Sequence, residues 1–409
     1  MSEEAATAEE LDARDELAHC REDFVLDGTV YLDGNSLGAL PRSVPARLAE
    51  VVEREWGELR IRSWSESGWW SAPERIGDRI APLVGAAGGQ VAVGDSTSVN
   101  VFKAVVAALR IAQGEGSAGS ARSEVLVDAA TFPTDGYIAE SAARMTGAKV
   151  RAVPAADMAD AAGPATAVAL VNHVDYRTGE LHDLLAATAA VHRAGGRIVW
   201  DVCHSAGALP VELDASGADF AVGCTYKYLN GGPGAPAFLY VRRELQPRFD
   251  TPLPGWTSHA DPFAMSPGYV AAEGVTRGRV GTPDILSMLA LEEALKVWEG
   301  VGIAAVRAKS LALTDFFLRR VREYVPEGLL RTLTPEAHDR RGSQVSLLCG
   351  DGGDGVVDAE RVMAALQVRG VVGDFRRPGV LRFGFTPLYT SFGDAEHAAR
   401  ALGEAVREG

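Results

Sequence analysis

The chain has 409 residues, enough for two domains with sizeable cores, and its balance of 47% hydrophobic and 23% charged residues is that of an ordinary globular protein. A formal net charge of −15 excludes non-specific attachment to nucleic acid or to an anionic membrane surface. The four cysteines, Cys20, Cys203, Cys224 and Cys349, are scattered without metal-ligand spacing, so reduced thiols and no metal site are expected.

The first six residues are acidic and alanine-rich, the opposite of a secretion signal. No stretch approaches the ~20 apolar residues of a membrane span, and a cytoplasmic protein is expected. Residues 1 to about 27 read as a polar helical arm. Tyr31-Leu-Asp-Gly-Asn-Ser-Leu-Gly38 reads as a short strand entering a loop. Pro41 to Leu59 has the period of an amphipathic helix, with Leu48, Val51, Val52, Trp56 and Leu59 on one face. Trp64, Trp69 and Trp70 then fall within seven residues of a Ser-rich loop, a grouping that lines a pocket or an interface. The apolar run Val91 to Val93 meets Gly94, then hydroxyl residues, then a helical pattern from Val101 to Leu109. Thr97 and Ser98 either cap that helix or, with its free N–H groups, form a phosphate site.

Glu124 to Asp128 is strand-like and leads to Thr131-Phe-Pro-Thr-Asp-Gly136, where Phe132 either stacks on a flat ligand or packs its own loop. Ala167 to Val171 is a buried-strand run ending at Asn172-His173. Ile198 to Trp200 is another, ending at Asp201 with His204 close behind. A carboxylate at the end of an apolar strand is costly without a cationic partner. Ala218 to Val222 precedes Lys227, which sits between Tyr226 and Tyr228 beside a turn whose Gly231, Gly232 and Gly234 permit close approach. The repeat of strand, loop and helix predicts a mostly parallel sheet with helices on both faces, and in such sheets ligands bind beyond the strand ends. Lys227 follows Asp201 by 26 residues. A lysine that forms an imine and a carboxylate that pairs with a pyridinium nitrogen are the two protein groups that pyridoxal phosphate (PLP) chemistry needs. A surface lysine on a turn has the same spacing.

Pro236 to Val241 is the next strand. Pro252 to Gly281, which holds Trp256, is long and irregular, as functional or intersubunit segments are. Pro283-Asp284 opens a helix with Met288, Leu291, Leu295 and Trp298 on one face, ended by Gly300 and Gly302. A second, α+β domain follows: a helix over 303–323, a strand over Ser343 to Leu348, an exposed turn at Asp351 to Gly355 without calcium-loop spacing, a helix over Val357 to Arg369, and a strand over Val380 to Phe385. Within that last strand Arg382 points opposite Leu381 and Phe383 and wants an anion, either a structural carboxylate or that of a substrate.

In order along the chain, Tyr31 to Gly38, Phe132-Pro-Thr-Asp135, Asp201-Val-Cys-His-Ser205, Cys224-Thr-Tyr-Lys-Tyr-Leu-Asn-Gly-Gly232, Leu381-Arg-Phe383 and Pro387-Leu-Tyr389 resemble the kynureninases, PLP-dependent hydrolases of the fold-type-I aminotransferase superfamily. The resemblance implies an α/β PLP-dependent transferase fold, with a large, mostly parallel sheet domain of seven-stranded type over 61–299 and a smaller α+β domain over 300–409. Residues 1–60 would be an arm joining the small domain. It implies that Lys227 carries PLP, that Asp201 pairs with the ring nitrogen with His204 beside it, that Phe132 stacks on the ring, and that Asp135 and Asn172 meet its polar edge. Thr97, Ser98, Tyr226 and Trp256 would hold the phosphate, with Trp256 and Thr282 supplied by the partner subunit of a homodimer. Arg382 would bind the substrate α-carboxylate, with Asn35 and Trp64 also at the substrate. The implied reaction splits L-kynurenine into anthranilate and L-alanine, in tryptophan catabolism towards NAD. Lys227 would act as base at Cα and Tyr226 as proton donor. Trp64 and Thr282 resemble members that favour kynurenine over 3-hydroxykynurenine. A cysteine desulfurase or aminotransferase of the same superfamily, and a non-catalytic binding protein on the same fold, are the competing readings.

Overall fold

The computed structural model describes residues 6–115, 122–350 and 357–408; the turn expected at Asp351 to Gly355 lies outside them. Seven strands form the large sheet: β1 Val91–Val93, β2 Glu124–Asp128, β3 Lys149–Val153, β4 Thr166–Asn172, β5 Arg197–Asp201, β6 Phe220–Gly223 and β7 Phe238–Val241. Their spatial order is β1-β7-β6-β5-β4-β2-β3. The inner pairs are parallel, and β7 alone runs antiparallel, to both β6 and β1. β4 is buried along its whole length and β5 along nearly all of it, as apolar strands covered on both faces must be.

Helices cover the two faces. Among them are α1 Val44–Glu50, α2 Ala72–Ile80, α3 Thr97–Glu115, α4 Pro133–Thr146, α5 Leu184–Arg193 and α6 Ile285–Ala294. One core layer packs α3 and α4 through Val105, Leu109 and Ala139 against Val125, Leu170 and Val222. The opposite layer packs Ile76, Trp200, Phe238 and Met288.

The C-terminal part has its own core, centred on Phe316, Phe317, Phe383 and Leu402. It combines α7 Ile303–Tyr324, α8 Ala359–Val368 and α9 Phe392–Glu408 with an antiparallel sheet. Its strands β8 Leu330–Thr332, β9 Gln344–Cys349, β10 Asp374–Arg376 and β11 Val380–Gly384 lie in the order β8-β9-β11-β10.

Two expectations change. The N-terminal arm is not one helix: it has a helix only over Ala8–Asp12, then a 3₁₀ turn at Ala18–Asp23. Ion pairs dictate its path, Asp15 meeting Lys309 at 2.6 Å and Arg21 meeting Asp394, while the Asp12 carboxylate accepts from the first N–H groups of α9. Val30–Tyr31 then pairs in parallel with Val371–Val372, and Asp33 bridges to Gly384, which stitches this segment into the small domain.

The helix expected over Pro41 to Leu59 starts at Val44 and widens into π-helical turns over Val51–Leu59. The wider turn buries Val51 and Glu55, and leaves Val52 and Trp56 43% and 59% exposed. Glu55 is buried because Arg47 and the Trp69 indole N–H both bond its carboxylate, Arg47 at 2.7 Å.

Candidate active site

The site forms where β2, β4, β5 and β6 end. Asn172 and Asp201 are register partners at the tips of β4 and β5. Asp135 enters beside them from the first turn of α4. The Asn172 amide donates to Asp135 Oδ2 and to Asp201 Oδ2, at 3.1 Å each, while Thr131 Oγ1 donates to Asn172 Oδ1 and so fixes the amide's orientation. The Cys203 N–H donates to Asp201 Oδ1 at 2.7 Å. Burial, and then the charge of Asp201, hold the Asp135 carboxyl well above the usual carboxylate range. The Asp201 carboxylate, fixed by the Asn172 amide and the Cys203 N–H with the Asp135 carboxyl behind the same amide, is an acceptor for a cationic N–H, which a protonated PLP ring nitrogen presents, so these residues fit that cofactor.

Lys227 follows β6, and its Nζ lies 3.1 Å from His204 Nε2. Burial and then the charges of Lys227 and Arg382 push His204 well below the usual imidazole range, against a hydrogen bond with the Asn35 backbone. A neutral ring tied to Asn35 on one side presents Nε2 to Lys227 as an acceptor. Phe132 stands at the entrance to α4, 44% exposed, with the Tyr176 ring edge-on at a centroid distance of 5.3 Å.

Beside Lys227 a cavity of about 460 Å³ opens over the start of α3. It is lined by Ser96, Thr97, Ser98, Tyr226, Arg279 and Thr282. The free N–H groups and dipole of a 19-residue helix suit this cavity to a phosphate. Cys224 and burial raise the Tyr226 hydroxyl above its ordinary range, so it keeps its proton. Thr282 thus stands with Thr97 and Ser98 of its own chain.

Trp256 and Trp64 do not line that cavity. Trp70 joins them in an aromatic cluster, 5.4 Å from Trp256 and 6.2 Å from Trp64 between ring centroids. Trp70 also lies under the Arg279 guanidinium, 4.9 Å from ring centroid to carbon, which connects the cluster to the cavity rim.

Arg382, 2% exposed, faces the site from β11 and is held by Asp374 across the strand pair. Its Nη1 donates to Tyr176 O at 2.6 Å. The Asn35 amide is buried and donates to Gln344 Oε1 at 2.9 Å, and Gln344 donates in turn to Tyr176 O at 3.0 Å. Tyr176, Gln344 and Asp374 were not singled out in the sequence. Asp374 had a signal: an acid in a short strand facing an arginine in the next. Tyr176, in an irregular loop, had none.

The two buried histidines make stability depend on pH. His173 has no partner at Nδ1, and burial pushes it down to about 3; His204 is also depressed. Their folded values lie below the ~6.5 of an unfolded histidine, so the unfolded state takes up protons first as pH falls. The stabilisation is complete above about 6.5 and is lost on the way down, by about 1.4 kcal/mol per pH unit for each ring. The raised carboxyls of Asp33, at about 6, and Asp135 take up protons first in the folded state and offset part of this loss, so the check is a difference: below about pH 6.5 the stability of His173→Gln will fall less steeply than that of the wild type, by about 1.4 kcal/mol per pH unit in urea unfolding. Parallel profiles for the two proteins would mean that the His173 ring protonates in place.

Among the described residues, no helix is long and apolar enough to cross a membrane. Residues 306–402 match the family model described as the kynureninase C-terminal domain. A protein of Deinococcus radiodurans named kynureninase is 49% identical, over 98% of this chain and 96% of its own. Its namesake from Burkholderia pseudomallei is 46% identical over 96% of this chain and 93% of its own. Among solved structures, a cysteine desulfurase of Escherichia coli superposes with a TM-score of 0.79 at 19% identity, covering 96% of this chain and 99% of that one. A C-DES variant with glycine covalently linked to its PLP cofactor superposes equally well, TM-score 0.79 at 18% identity, covering 94% of this chain and 99% of that one.

Proposed function

The chain belongs to the kynureninase family, and from that premise we propose that it hydrolyses the Cβ–Cγ bond of L-kynurenine, giving anthranilate and L-alanine, with PLP carried on Lys227. The observation that carries the residue assignment is the meeting of Lys227, neutral His204 and the Asp135–Asn172–Asp201 group at one edge of the sheet. Bound PLP supplies an electron sink for charge that develops on the substrate's carbon skeleton. Asp201, steadied by Asn172 and the Cys203 N–H, holds the proton on the ring nitrogen. Lys227 Nζ, oriented by His204 Nε2, moves the proton at the substrate's Cα. Water adds at the ketone carbon Cγ, and the Cβ–Cγ bond then breaks with its electron pair left on Cβ, so that anthranilate departs; Tyr226, which keeps its proton, is the donor to Cβ, or a phosphate ligand. Arg382 fixes the α-carboxylate, so that the Cα–H bond stays in reach of Lys227. Thr97, Ser98 and Thr282 hold the phosphate.

Several further assignments belong to the same reading. The enzyme is a cytoplasmic homodimer of tryptophan catabolism. Trp256, 37% exposed, completes the partner's phosphate site, while Thr282, which lines the cavity of its own chain, serves its own. The substrate is kynurenine in preference to its 3-hydroxy derivative, because Trp64 and Thr282 leave the extra hydroxyl poorly satisfied. The test is anthranilate fluorescence from L-kynurenine, run beside 3-hydroxykynurenine. The double variant Trp64→His, Thr282→Asn is expected to shift the ratio of kcat/KM values towards the hydroxylated substrate by roughly 10–100-fold. An unchanged ratio would remove both residues from substrate choice.

The desulfurase reading has the fold in its favour but needs a thiol presented to the substrate. All four cysteines are buried. Sulfide release from L-cysteine, without anthranilate from L-kynurenine, would reinstate it.

A further inference from the structure

Arg382 is already gripped by a carboxylate of its own chain. Its Nε donates to Asp374 Oδ1 at 2.7 Å and its Nη2 donates to Asp374 Oδ2, so one edge of the guanidinium is filled side-on. A guanidinium has five N–H groups, which form two forks. On the other edge, Nη2 meets only Ser36 Oγ, at a long 3.3 Å, and Nη1 gives one hydrogen to Tyr176 O. A bidentate anion would take that second fork by displacing these two neutral acceptors, of which Ser36 Oγ is held only at long range. Asp374 is itself fixed: Ser36 Oγ donates to its Oδ2 at 2.9 Å, and Arg376 pairs with the same oxygen at 2.9 Å.

We propose that Asp374 is a positioning residue for substrate recognition: by closing the Nε–Nη2 edge of Arg382, it turns the Nη1–Nη2 edge toward the substrate's α-carboxylate and keeps it there. The inference rests on the reading of Arg382 as the carboxylate site. The reason a clamp is needed stands close by. Asp33 adjoins Asp374, Arg376 and Arg382, its Oδ1 has no partner, and burial pushes its carboxyl up to about 6. It is a second anion available to the arginine. Without Asp374, a buried guanidinium swings to the nearest unpaired acceptor, and Asp33 would draw it away from the substrate. The two anions have different roles: Asp374 is locked by the strand register opposite Arg382, while Asp33 sits on the N-terminal segment that bridges to Gly384.

The experiment compares two ligands of the PLP-loaded enzyme: a non-reactive L-kynurenine analogue that keeps its α-carboxylate, and the corresponding decarboxylated amine. Inhibition constants for both, with KM and kcat for L-kynurenine, are measured in the wild type, Asp374→Asn, Asp374→Glu and Arg382→Ala. Asparagine keeps the shape but points an N–H at the guanidinium. Asp374→Asn is expected to weaken the carboxylate ligand and raise KM by about tenfold or more, with a smaller change in kcat and little change for the amine. Asp374→Glu restores part of that loss. Equal weakening of both ligands would overturn the proposal, because a merely structural role moves them together. Tighter binding of the carboxylate ligand would overturn it as well, because Asp374 would then be a competitor. Arg382→Ala separates the two levels of the argument. If it leaves discrimination between the ligands intact, the carboxylate assignment of Arg382 is wrong. If it removes discrimination while Asp374→Asn keeps it, only the role of Asp374 is wrong. A cofactor spectrum and thermal melt of each variant establish folding, and Asp374→Glu carries the test should the asparagine variant not fold.

Discussion

Lys227→Ala abolishes anthranilate release from L-kynurenine and leaves the fold intact. The rate falls by more than about 10⁴-fold, since positioned acid–base catalysis alone contributes roughly 10²–10⁴ and the covalent attachment of the cofactor goes with it. The lysine stands at the end of a buried strand, and no acidic side chain pairs with it among the described residues; its one side-chain hydrogen bond is to His204. Truncation leaves no buried carboxylate without its counter-charge, so thermal stability changes little. Near-normal turnover in the variant would dismiss Lys227 as the cofactor lysine. Loss of turnover together with collapse of the melt would assign it a structural role instead.

Arg382→Ala does the reverse and damages two properties at once. KM for L-kynurenine is expected to rise steeply, because the fork proposed to bind the carboxylate is gone. The protein also loses about 3–5 kcal/mol of stability, the usual cost of removing one member of a buried pair. Asp374 loses both bonds to the guanidinium, and Tyr176 O loses one donor. Arg382→Lys keeps the charge but offers a single point where two edges are in use, so it recovers more stability than affinity. Urea unfolding beside steady-state kinetics separates these effects. A stable Arg382→Ala protein would mean that Arg376, already paired with Asp374 at 2.9 Å, suffices as its counter-charge.

The strands that carry chemistry were legible because they are buried on both faces, and their apolar runs stop abruptly at polar residues. Asn172 and Asp201 lie at such stops, so both were found. β3 was missed for the complementary reason. It is an edge strand, largely exposed along Lys149–Val153, and lacks an apolar run. α9 was missed because its buried stripe is mostly alanine, which contrasts weakly with its polar face. The exposure of Trp56 was hidden because a regular helical period was assumed where the helix widens to π turns. For the site, residue types and spacing pointed to Lys227, Asp201 and Arg382. They could not point to Tyr176, which acts through a backbone carbonyl that any residue would supply.

The short strand Val30–Tyr31 carries a temporal consequence. Among the described residues its only strand partner is Val371–Val372, and the nearby Asn35 amide waits for Gln344, 309 residues further along. A chain emerging from the ribosome makes this segment long before Val371–Val372 and must hold it unpaired while the large sheet and most of the small domain are synthesised. Asp135, Asn172, Asp201 and Lys227, by contrast, lie on neighbouring strands and are complete once the large sheet closes. On the roles proposed above, the two halves of the site would mature at different moments: the cofactor's residues early, from parallel pairings within the large sheet, and the carboxylate's residues last, when Val30–Tyr31 meets Val371–Val372. Closing so long a loop is slow, and on the same proposed roles the nascent chain would be able to hold the cofactor before it could orient the substrate.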